Sequence, residues 1–292
     1  LSAPAAPGGR VLAPLGRRAT EVVANQASGG YRILSALDRK GPDPAAGQFY
    51  MLSSESYWGE GSARPYLPRA FSVAEAERGG AEGAGVRLDF LLEDVGPGTA
   101  RLAALEPGEQ LQITGPLGRP FSPPREVNPR AQGAILVGGG IGMAPLAILR
   151  RELGGRGVPL RTLLGFRDRA HSGGMELFRC SEVGLASEDG HAGHRGYVTD
   201  LLAQMLEGDQ ADTAVVYSCG PPAMLEAVRS LCSERGVPSE LAMESPMACG
   251  FGACFGCAVP LASGGYMRLC VDGPVVRGDQ IETALIAGAG HR

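Results

Sequence analysis

From residue 20 to about residue 123 the apolar positions fall in short runs, at 21–24, 31–37, 48–52, 86–92 and 110–114, separated by Gly, Pro and polar residues. Runs of this length bounded by turn formers predict several short strands, and strands at such spacing fold as an antiparallel barrel or sandwich. Past Gly133 the rhythm changes. An apolar run at 134–137 meets a glycine-rich turn, and 144–153 then puts Leu146, Leu149 and Leu153 on one helical face. A strand at 160–165, a helix at 197–206, a strand at 215–218 and a helix at 222–235 continue the alternation, which predicts a parallel sheet covered by helices. The Pro-containing polar stretch at 121–131 reads as a linker. After residue 240 the runs shorten again, at 266–271 and 275–276, around a cysteine-rich loop. Four parts are expected: a flexible leader (1–18), an antiparallel β-barrel (19–125), a doubly wound α/β domain (131–240) and a small C-terminal domain (241–292).

With 292 residues, 44% hydrophobic and 20% charged, the chain can bury two or three cores, which excludes disorder and a collagen-like fibre. A net charge of −4, with no basic run interleaved with aromatics, lacks the electrostatic footprint of a nucleic-acid binder. No apolar stretch reaches the roughly 18 residues that a membrane span requires. Residues 1–18 hold three Arg, no acid and no apolar core of signal-peptide length, hence the reading as a leader.

The seven Cys are too few and too unevenly placed for a disulfide framework. Four of them, Cys249, Cys254, Cys257 and Cys270, give the spacing C-x4-C-x2-C-x12-C. The first three match the plant-type ferredoxin spacing, in which thiolates hold a [2Fe–2S] cluster. Gly250, Gly252 and Gly256 free the backbone to wrap closely and to aim N–H groups at sulfur. Four thiolates also suit tetrahedral zinc, although structural zinc sites usually carry two short Cys pairs and only one is present. Cys180 and Cys232, among apolar neighbours, read as ordinary buried residues.

The strand at 134–137 runs into Gly138, Gly139, Gly140 and Gly142, followed by Pro145. Such a turn offers N–H groups and a helix dipole to an anion, typically a dinucleotide pyrophosphate; a tight connection without a ligand is the plain alternative. Pro145 departs from the usual G-x-G-x-x-G but is tolerated in a first helical turn. In a doubly wound sheet the loops at 138–142, 165–167 and 219–221 converge at the carboxyl ends of the strands. That makes Cys219, Gly220 and Pro221 a candidate wall of a nicotinamide pocket, with packing as the plainer role of Cys219. Arg167, Asp168 and Arg169 offer both a cation for a 2′-phosphate and an acid for a free ribose, which leaves NAD against NADP open. Upstream, Arg69, Ala70, Phe71 and Ser72 could supply a phosphate cation and a ring contact, and Gly98 and Thr99 could supply N–H and hydroxyl donors ahead of a helix at 100–105. Together, before a dinucleotide fold and a cluster, they imply a flavin. His191 and His194, with Asp189 nearby, lack a third ligand and read as a solvated loop.

These motifs, with Gly115, Pro116, Leu117 and Gly118 and with Met247 leading into the Cys loop, resemble in order the electron-transfer subunits of dihydroorotate dehydrogenase B, over about residues 20–280. The resemblance implies an N-terminal antiparallel FAD-binding β-barrel of the ferredoxin-reductase type, a doubly wound parallel-sheet NAD-binding domain and a small C-terminal [2Fe–2S] domain. It implies a cytoplasmic subunit paired with an FMN-containing catalytic subunit, as a heterotetramer of two of each. Electrons from dihydroorotate then pass through the cluster and FAD to NAD+, and the dihydroorotate site belongs to the partner. By the same resemblance Arg69 to Ser72 contact the flavin, Leu91, Leu92 and Glu93 run along it, and Gly98 and Thr99 bind its phosphates. Two departures stand out. Ala70 replaces a usual Pro, and Leu92 and Glu93 replace a common aromatic and basic pair. The alternatives at this stage are a related reductase subunit for another partner, of the sulfide dehydrogenase or transhydrogenase type, and a zinc-bound scaffold without redox work.

Overall fold

In the computed structural model, which describes residues 16–56, 58, 67–79, 85–178, 182–207 and 211–286, the first group of apolar runs forms one antiparallel sheet. Its strands are β1 (Arg18–Ser28), β2 (Tyr31–Asp38), β3 (Phe49–Ser54), β4 (Arg69–Ser72), β5 (Glu75–Arg78), β6 (Val86–Glu93) and β7 (Gln110–Leu117), in the order β4-β3-β7-β1-β2-β6-β5. The sheet rolls up at its two edges. Between β4 and β5 the N–H of Val73 donates to Gln48 O at 3.3 Å and that of Ala74 to Asp89 O at 2.9 Å, so the two edge strands meet at one corner. A short helix, α1 (Pro97–Ala103), begins three residues before the expected 100–105 because Pro97 fits a first helical turn. Residues 1–15 of the expected leader lie outside the described residues. Arg18, its last residue, already belongs to β1 and donates to Asp38 at 2.5 Å and to Gly115 O at 2.8 Å.

After a single turn of helix, α2 (Pro124–Val127), the chain builds the second sheet. β8 (Gly133–Gly139), β9 (Leu160–Phe166), β10 (Val183–Ser187), β11 (His194–Arg195), β12 (Ala214–Cys219) and β13 (Ser239–Ala242) run parallel, in the order β11-β10-β9-β8-β12-β13. Helices α3 (Ala144–Gly155), α4 (Val198–Met205) and α5 (Pro222–Glu234) cover it, and Leu146, Leu149 and Leu153 are buried as their helical spacing predicts. The order reverses between β8 and β12, and ligands of doubly wound sheets gather at such a switch point. Among the described residues no helix is long and apolar enough to cross a membrane.

The third unit consists of the Cys loop, the hairpin β14 (Ala258–Pro260) and β15 (Tyr266–Arg268), a helical turn α6 (Leu269–Asp272) and β16 (Val275–Arg277). β16 pairs antiparallel with β13 and so completes the edge of the second sheet. The expected division at residue 240 falls inside β13, and the last unit shares a sheet with the domain before it. The tail is tied down as well. The Glu226 carboxylate on α5 accepts from Arg229 at 2.5 Å, from the Thr283 hydroxyl at 3.0 Å and from the Ala284 N–H at 2.6 Å.

This carboxyl is held down to about 2, first by the Arg229 guanidinium and, against some burial, by the Ala284 N–H and the Thr283 hydroxyl. A depressed carboxyl contributes stability above its ordinary value of 4.5 and loses it as pH falls toward about 2. Glu226→Gln should therefore cost about 1 kcal/mol at neutral pH. The gap to the unmodified chain should close as acid is added over that window. Denaturant titrations at stepped pH check this, and a gap independent of pH would contradict it.

Candidate functional site

All three units contribute to one cavity of about 320 Å³, within the size range of small-molecule sites. Arg69, Ala70, Phe71 and Ser72 of β4 form one rim. Leu91 and Glu93 of β6 line it too, whereas Leu92 is fully buried in the barrel core. Successive side chains of a strand point to opposite faces, so the Leu92 side chain turns away from the cavity that Leu91 and Glu93 line. Thr99 reaches the cavity from α1. Its hydroxyl is spent locally: Oγ1 accepts from the N–H groups of Val95 (2.9 Å) and Gly96 (3.0 Å) and donates to Gly96 O (3.0 Å). The donors left to this turn are therefore the backbone N–H groups of the first helical turn, not the expected hydroxyl. Gly98 has no side chain for a reason visible beside it, since a Cβ there would lie 2.7 Å from Arg69 Nε. A guanidinium thus lies against a helix start, an arrangement that suits a phosphate.

The opposite wall comes from the second sheet. Ile141, Gly142, Ala144 and Pro145 line the cavity, as does Cys219 at the end of β12. Gly138, Gly139, Gly140, Gly220 and Pro221 are not in the lining: Gly138, Gly139 and Gly220 are buried, Gly140 is half-buried and Pro221 is exposed. A Cβ on Gly139 would fall 2.5 Å from Met224 Sδ, and one on Gly142 would fall 2.5 Å from the Cα of Gly220. The two glycine turns therefore pack backbone against backbone. Burial, and to a lesser degree the nearby Glu244 carboxylate, push the Cys219 thiol well up, which keeps it neutral.

The sequence reading did not anticipate the third wall. Met243, Glu244, Ser245, Pro246 and Met247 line the cavity between the end of β13 and the Cys loop. Their position at the carboxyl end of a sheet strand was the available signal. Two residues beyond Met247 stands Cys249.

In the loop Cys249 is half-buried, Cys254 exposed, and Cys257 and Cys270 buried. The thiols form two pairs: Cys254 bonds Cys249, and Cys257 Sγ lies 3.2 Å from Cys270 Sγ. Backbone N–H groups aim at sulfur, from Ala253 to Cys249 at 3.3 Å and from Cys270 to Cys257 at 3.4 Å. Burial works against ionisation of Cys249, but the N–H groups of Phe251, Cys254 and Ala253 and the Cys254 side chain outweigh it and bring the thiol down to about 6. Burial and the adjacent Cys257 push Cys270 up to about 12. Gly250 and Gly252 both have positive φ, and a Cβ on Gly250 would lie 2.6 Å from Met51 Cγ, so the loop presses on β3. Among the described residues no three His, Cys, Asp or Glu side chains converge as a single ion would require. Two thiol pairs under aimed N–H groups fit a two-iron, four-thiolate cluster.

The remaining sequence candidates lie elsewhere. His191 Nδ1 meets Asp189 at 2.7 Å, while His194, on β11 rather than in a loop, meets Asp200 at 3.0 Å, so the two rings serve different carboxylates. Cys232 is buried on α5 as expected, and Cys180 lies outside the described residues.

Comparison with known proteins follows the same division. Residues 244–282 match the iron-sulfur cluster binding domain of dihydroorotate dehydrogenase B, and residues 168–230 match an oxidoreductase NAD-binding domain. The chain is 38% identical over 224 residues to the electron transfer subunit of dihydroorotate dehydrogenase B (NAD(+)) from Bacillus caldolyticus, covering 75% of this chain and 82% of that one. It is 32% identical over 246 residues to the subunit of the same name from Caldanaerobacter subterraneus subsp. tengcongensis, covering 83% and 89%. Among solved structures, an NADH-dependent reduced ferredoxin-NADP oxidoreductase superposes with a TM-score of 0.74 at 22% identity, covering 94% of this chain and 91% of that one. A ferredoxin NADP+ reductase from Neisseria gonorrhoeae superposes at 0.59 with 18% identity, covering 75% and 92%. These two likenesses concern the fold. The cluster-domain match decides between the two metals that the Cys spacing allowed, in favour of iron–sulfur over zinc.

Because Cys254 is exposed, replacing it tests it as a ligand without opening a core. Cys254→Ala is expected to leave circular dichroism unchanged and to lose most iron and labile sulfide. A variant that kept both would remove Cys254 from the ligand set.

Proposed function

The chain belongs to the family of dihydroorotate dehydrogenase B electron transfer subunits, and on that premise we propose how its three units divide the work. The partner, an FMN-containing catalytic subunit, oxidises dihydroorotate, and this chain delivers the electrons to NAD+ in pyrimidine synthesis. The balance is dihydroorotate + NAD+ → orotate + NADH + H+, two electrons and one proton reaching the nicotinamide. The observation that carries the reading is the shared cavity: barrel, parallel sheet and the approach to the Cys loop each supply a wall. FAD bound there supplies the exchange between the single electrons of an iron–sulfur centre and the hydride of a nicotinamide.

The protein's own residues then have distinct tasks. Arg69 and the first-turn N–H groups of Gly98 and Thr99 hold the FAD phosphates. Phe71 and Leu91 present apolar surface to the ring system, with Ala70, Ser72 and Glu93 at its rim. Gly138, Gly139, Gly140 and Gly142 let the turn pack close enough for the nucleotide to reach the helix start. Cys219, followed in the turn by Gly220 and Pro221, walls the nicotinamide side, where an uncharged thiol places no anion beside the transferred hydride. Cys249, Cys254, Cys257 and Cys270 hold the [2Fe–2S] cluster.

The cluster loop also offers a face to the partner. Phe251 and Phe255 are 51% and 63% exposed around the exposed Cys254, and the Arg268 guanidinium lies 5.2 Å from the Phe255 ring centroid. An apolar rim around an exposed ligand suits docking of the catalytic subunit, in an assembly of two chains of each kind. The described cysteines are free thiols, in keeping with a cytoplasmic setting. Kinship at 38% identity favours this partner over a sulfide dehydrogenase or transhydrogenase type.

Co-purification with a dihydroorotate-oxidising flavoprotein tests the assignment. The anaerobic complex should form one NADH per dihydroorotate consumed. A complex that oxidised dihydroorotate without ever reducing NAD+ would sink the assignment. Within the chain, Arg69→Ala should weaken FAD binding about 10- to 100-fold, the loss of one charge-assisted phosphate contact. Flavin retention after dialysis, read by absorbance, measures it, and full retention would remove Arg69 from the phosphate site.

A further inference from the structure

The loop thiols form two pairs, and one residue that is not a ligand ties the pairs together. Arg268 ends β15, where it stands opposite Ala258, the residue after Cys257. Beside it the Leu269 N–H donates to Cys257 O at 3.1 Å, and α6, which carries Cys270, begins. The Arg268 backbone N–H donates to Asp272 Oδ2 at 3.0 Å, so the main chain here is fixed next to the buried Cys257 and Cys270.

The side chain reaches the other pair. Its Nη1 donates to the Gly252 carbonyl at 3.1 Å, in the segment between Cys249 and Cys254. Its guanidinium lies 5.2 Å from the Phe255 ring centroid, and Phe255, at φ 58°, is the one non-glycine with left-handed backbone among the described residues. That conformation is costly for a residue with a Cβ, and here it brings an aromatic ring to the cation. Gly252 has a φ of 90°, and a Cβ there would lie 2.7 Å from Val271 Cγ2 and 3.3 Å from Arg268 Nη1, so the close approach of its carbonyl needs a bare residue. The carboxylate neighbour competes weakly: Asp272 Oδ2 lies 3.6 Å from Arg268 Nε, beyond hydrogen-bond reach.

Gly252 O and the Ala253 N–H belong to one planar peptide group and point in opposite directions. That N–H donates to Cys249 Sγ at 3.3 Å. A cation held on the carbonyl end therefore fixes the plane that aims the N–H at sulfur. It also polarises the group, which strengthens the donor. Donors to ligand sulfur favour the reduced, more negative state of an iron–sulfur centre. We propose that Arg268 is a positioning residue for that centre: through the Gly252–Ala253 peptide it holds an N–H on Cys249 and raises the reduction potential. This rests on the reading of the four loop cysteines as the cluster ligands.

Electron paramagnetic resonance during an anaerobic redox titration of the cluster- and flavin-loaded chain tests it. Arg268→Gln should shift the equilibrium about tenfold toward the oxidised state, which is about 59 mV downward for a one-electron couple. Arg268→Lys, which keeps a cationic donor, should stay within about threefold of the unmodified chain. Transfer into D2O should move the iron–sulfur stretching bands of the resonance Raman spectrum less in the Gln variant, because one N–H on sulfur is slackened. A Gln variant at the unmodified potential overturns the proposal, as does a Lys variant as low as Gln. So does a solvent-isotope shift that the Gln substitution leaves unchanged, since a charge acting through space alone would do that. If the Gln variant takes up no iron and sulfide, the Lys variant decides. Loading within threefold of the unmodified equilibrium supports the proposal, whereas a larger fall or no loading makes Arg268 a brace for the fold alone and overturns it. An unmodified chain without a [2Fe–2S] signal fails the ligand reading and the proposal with it, whereas a signal indifferent to residue 268 fails the proposal alone.

Discussion

The excursion that carries the cluster begins and ends on one strand pair, and the electron path depends on that constraint. The chain leaves the second sheet at Ala242, forms the Cys loop and its hairpin, and returns at Val275, which pairs with Ala242 itself. The N–H of Met243 donates to Pro274 O at 3.0 Å, so entry and exit are bonded at the first step outside the strands. The barrel braces the same place. The N–H of Arg119 donates to Gly273 O at 2.5 Å, and a Cβ on Gly118 would lie 2.5 Å from Pro274 Cδ. Since residues 243–247 wall the cavity on their way to Cys249, pinning both ends fixes the cluster relative to whatever the cavity holds. A positioned donor and acceptor need no search, and the supporting shell rather than the ligands themselves supplies that precision.

The same logic extends to the joint between barrel and parallel sheet. Helix α3 reaches across with Arg151, which donates to Ala76 O at 2.5 Å and pairs with Glu75, and with Glu152, which accepts from the Ala46 N–H at 3.1 Å. Near the linker the Tyr217 hydroxyl donates to Ser122 O at 2.7 Å, and Glu240 accepts from the Ser122 N–H at 2.8 Å. Burial pushes the carboxyls of Glu152 and Glu240 upward, so each of these N–H bonds offsets a desolvation cost. The apolar packing crosses the same boundaries. One core joins Tyr31, Leu91 and Phe90 of the barrel to Met143, Leu146 and Tyr217 of the second domain. The other joins Met51 and Leu117 to Val216 and to Cys257 and Leu269. Domains assigned along the chain are thus not separate bodies: each core is built from pieces of at least two of them.

This explains which features were legible in the sequence. The Cys spacing, the glycine turn and the α3 stripe are local patterns, and each states its chemistry or periodicity within about a dozen residues. The strands β8, β9 and β12 were legible because strands buried on both faces are continuous apolar runs. β4 and β5 were not, because they are four-residue edge strands whose exposed or half-buried residues alternate too briefly to show a period. β10 and β11 were not legible for a related reason, their long-range pairing, and the short run at 275–276 acquires its meaning as β16 only from β13. Site residues divide in the same way. Arg69 and Cys219 sit in recognisable motifs, whereas Met243 and Glu244 belong to the cavity only because the sheet ends there. Leu92 shows the converse, a residue inside a motif that the two-residue period of its strand turns into the core.

The six described cysteines sort into two chemistries by their surroundings. Cys219 and Cys232 lie in packed interiors, where burial pushes the first thiol well up and the second to about 12. Such thiols stay protonated and, with no metal beside them, are inert. The loop thiols begin from different ground. Gly250 and Gly252 adopt left-handed conformations that turn successive N–H groups inward, and those dipoles outweigh burial at Cys249. Cys270, packed against Cys257, lacks enough of this help and remains high. Metal binding at Cys270 must displace its proton, because metal binding and ligand deprotonation are one equilibrium. Cys219 stands in the cavity wall at the end of β12; burial, and less so the Glu244 carboxylate, keep its thiol neutral.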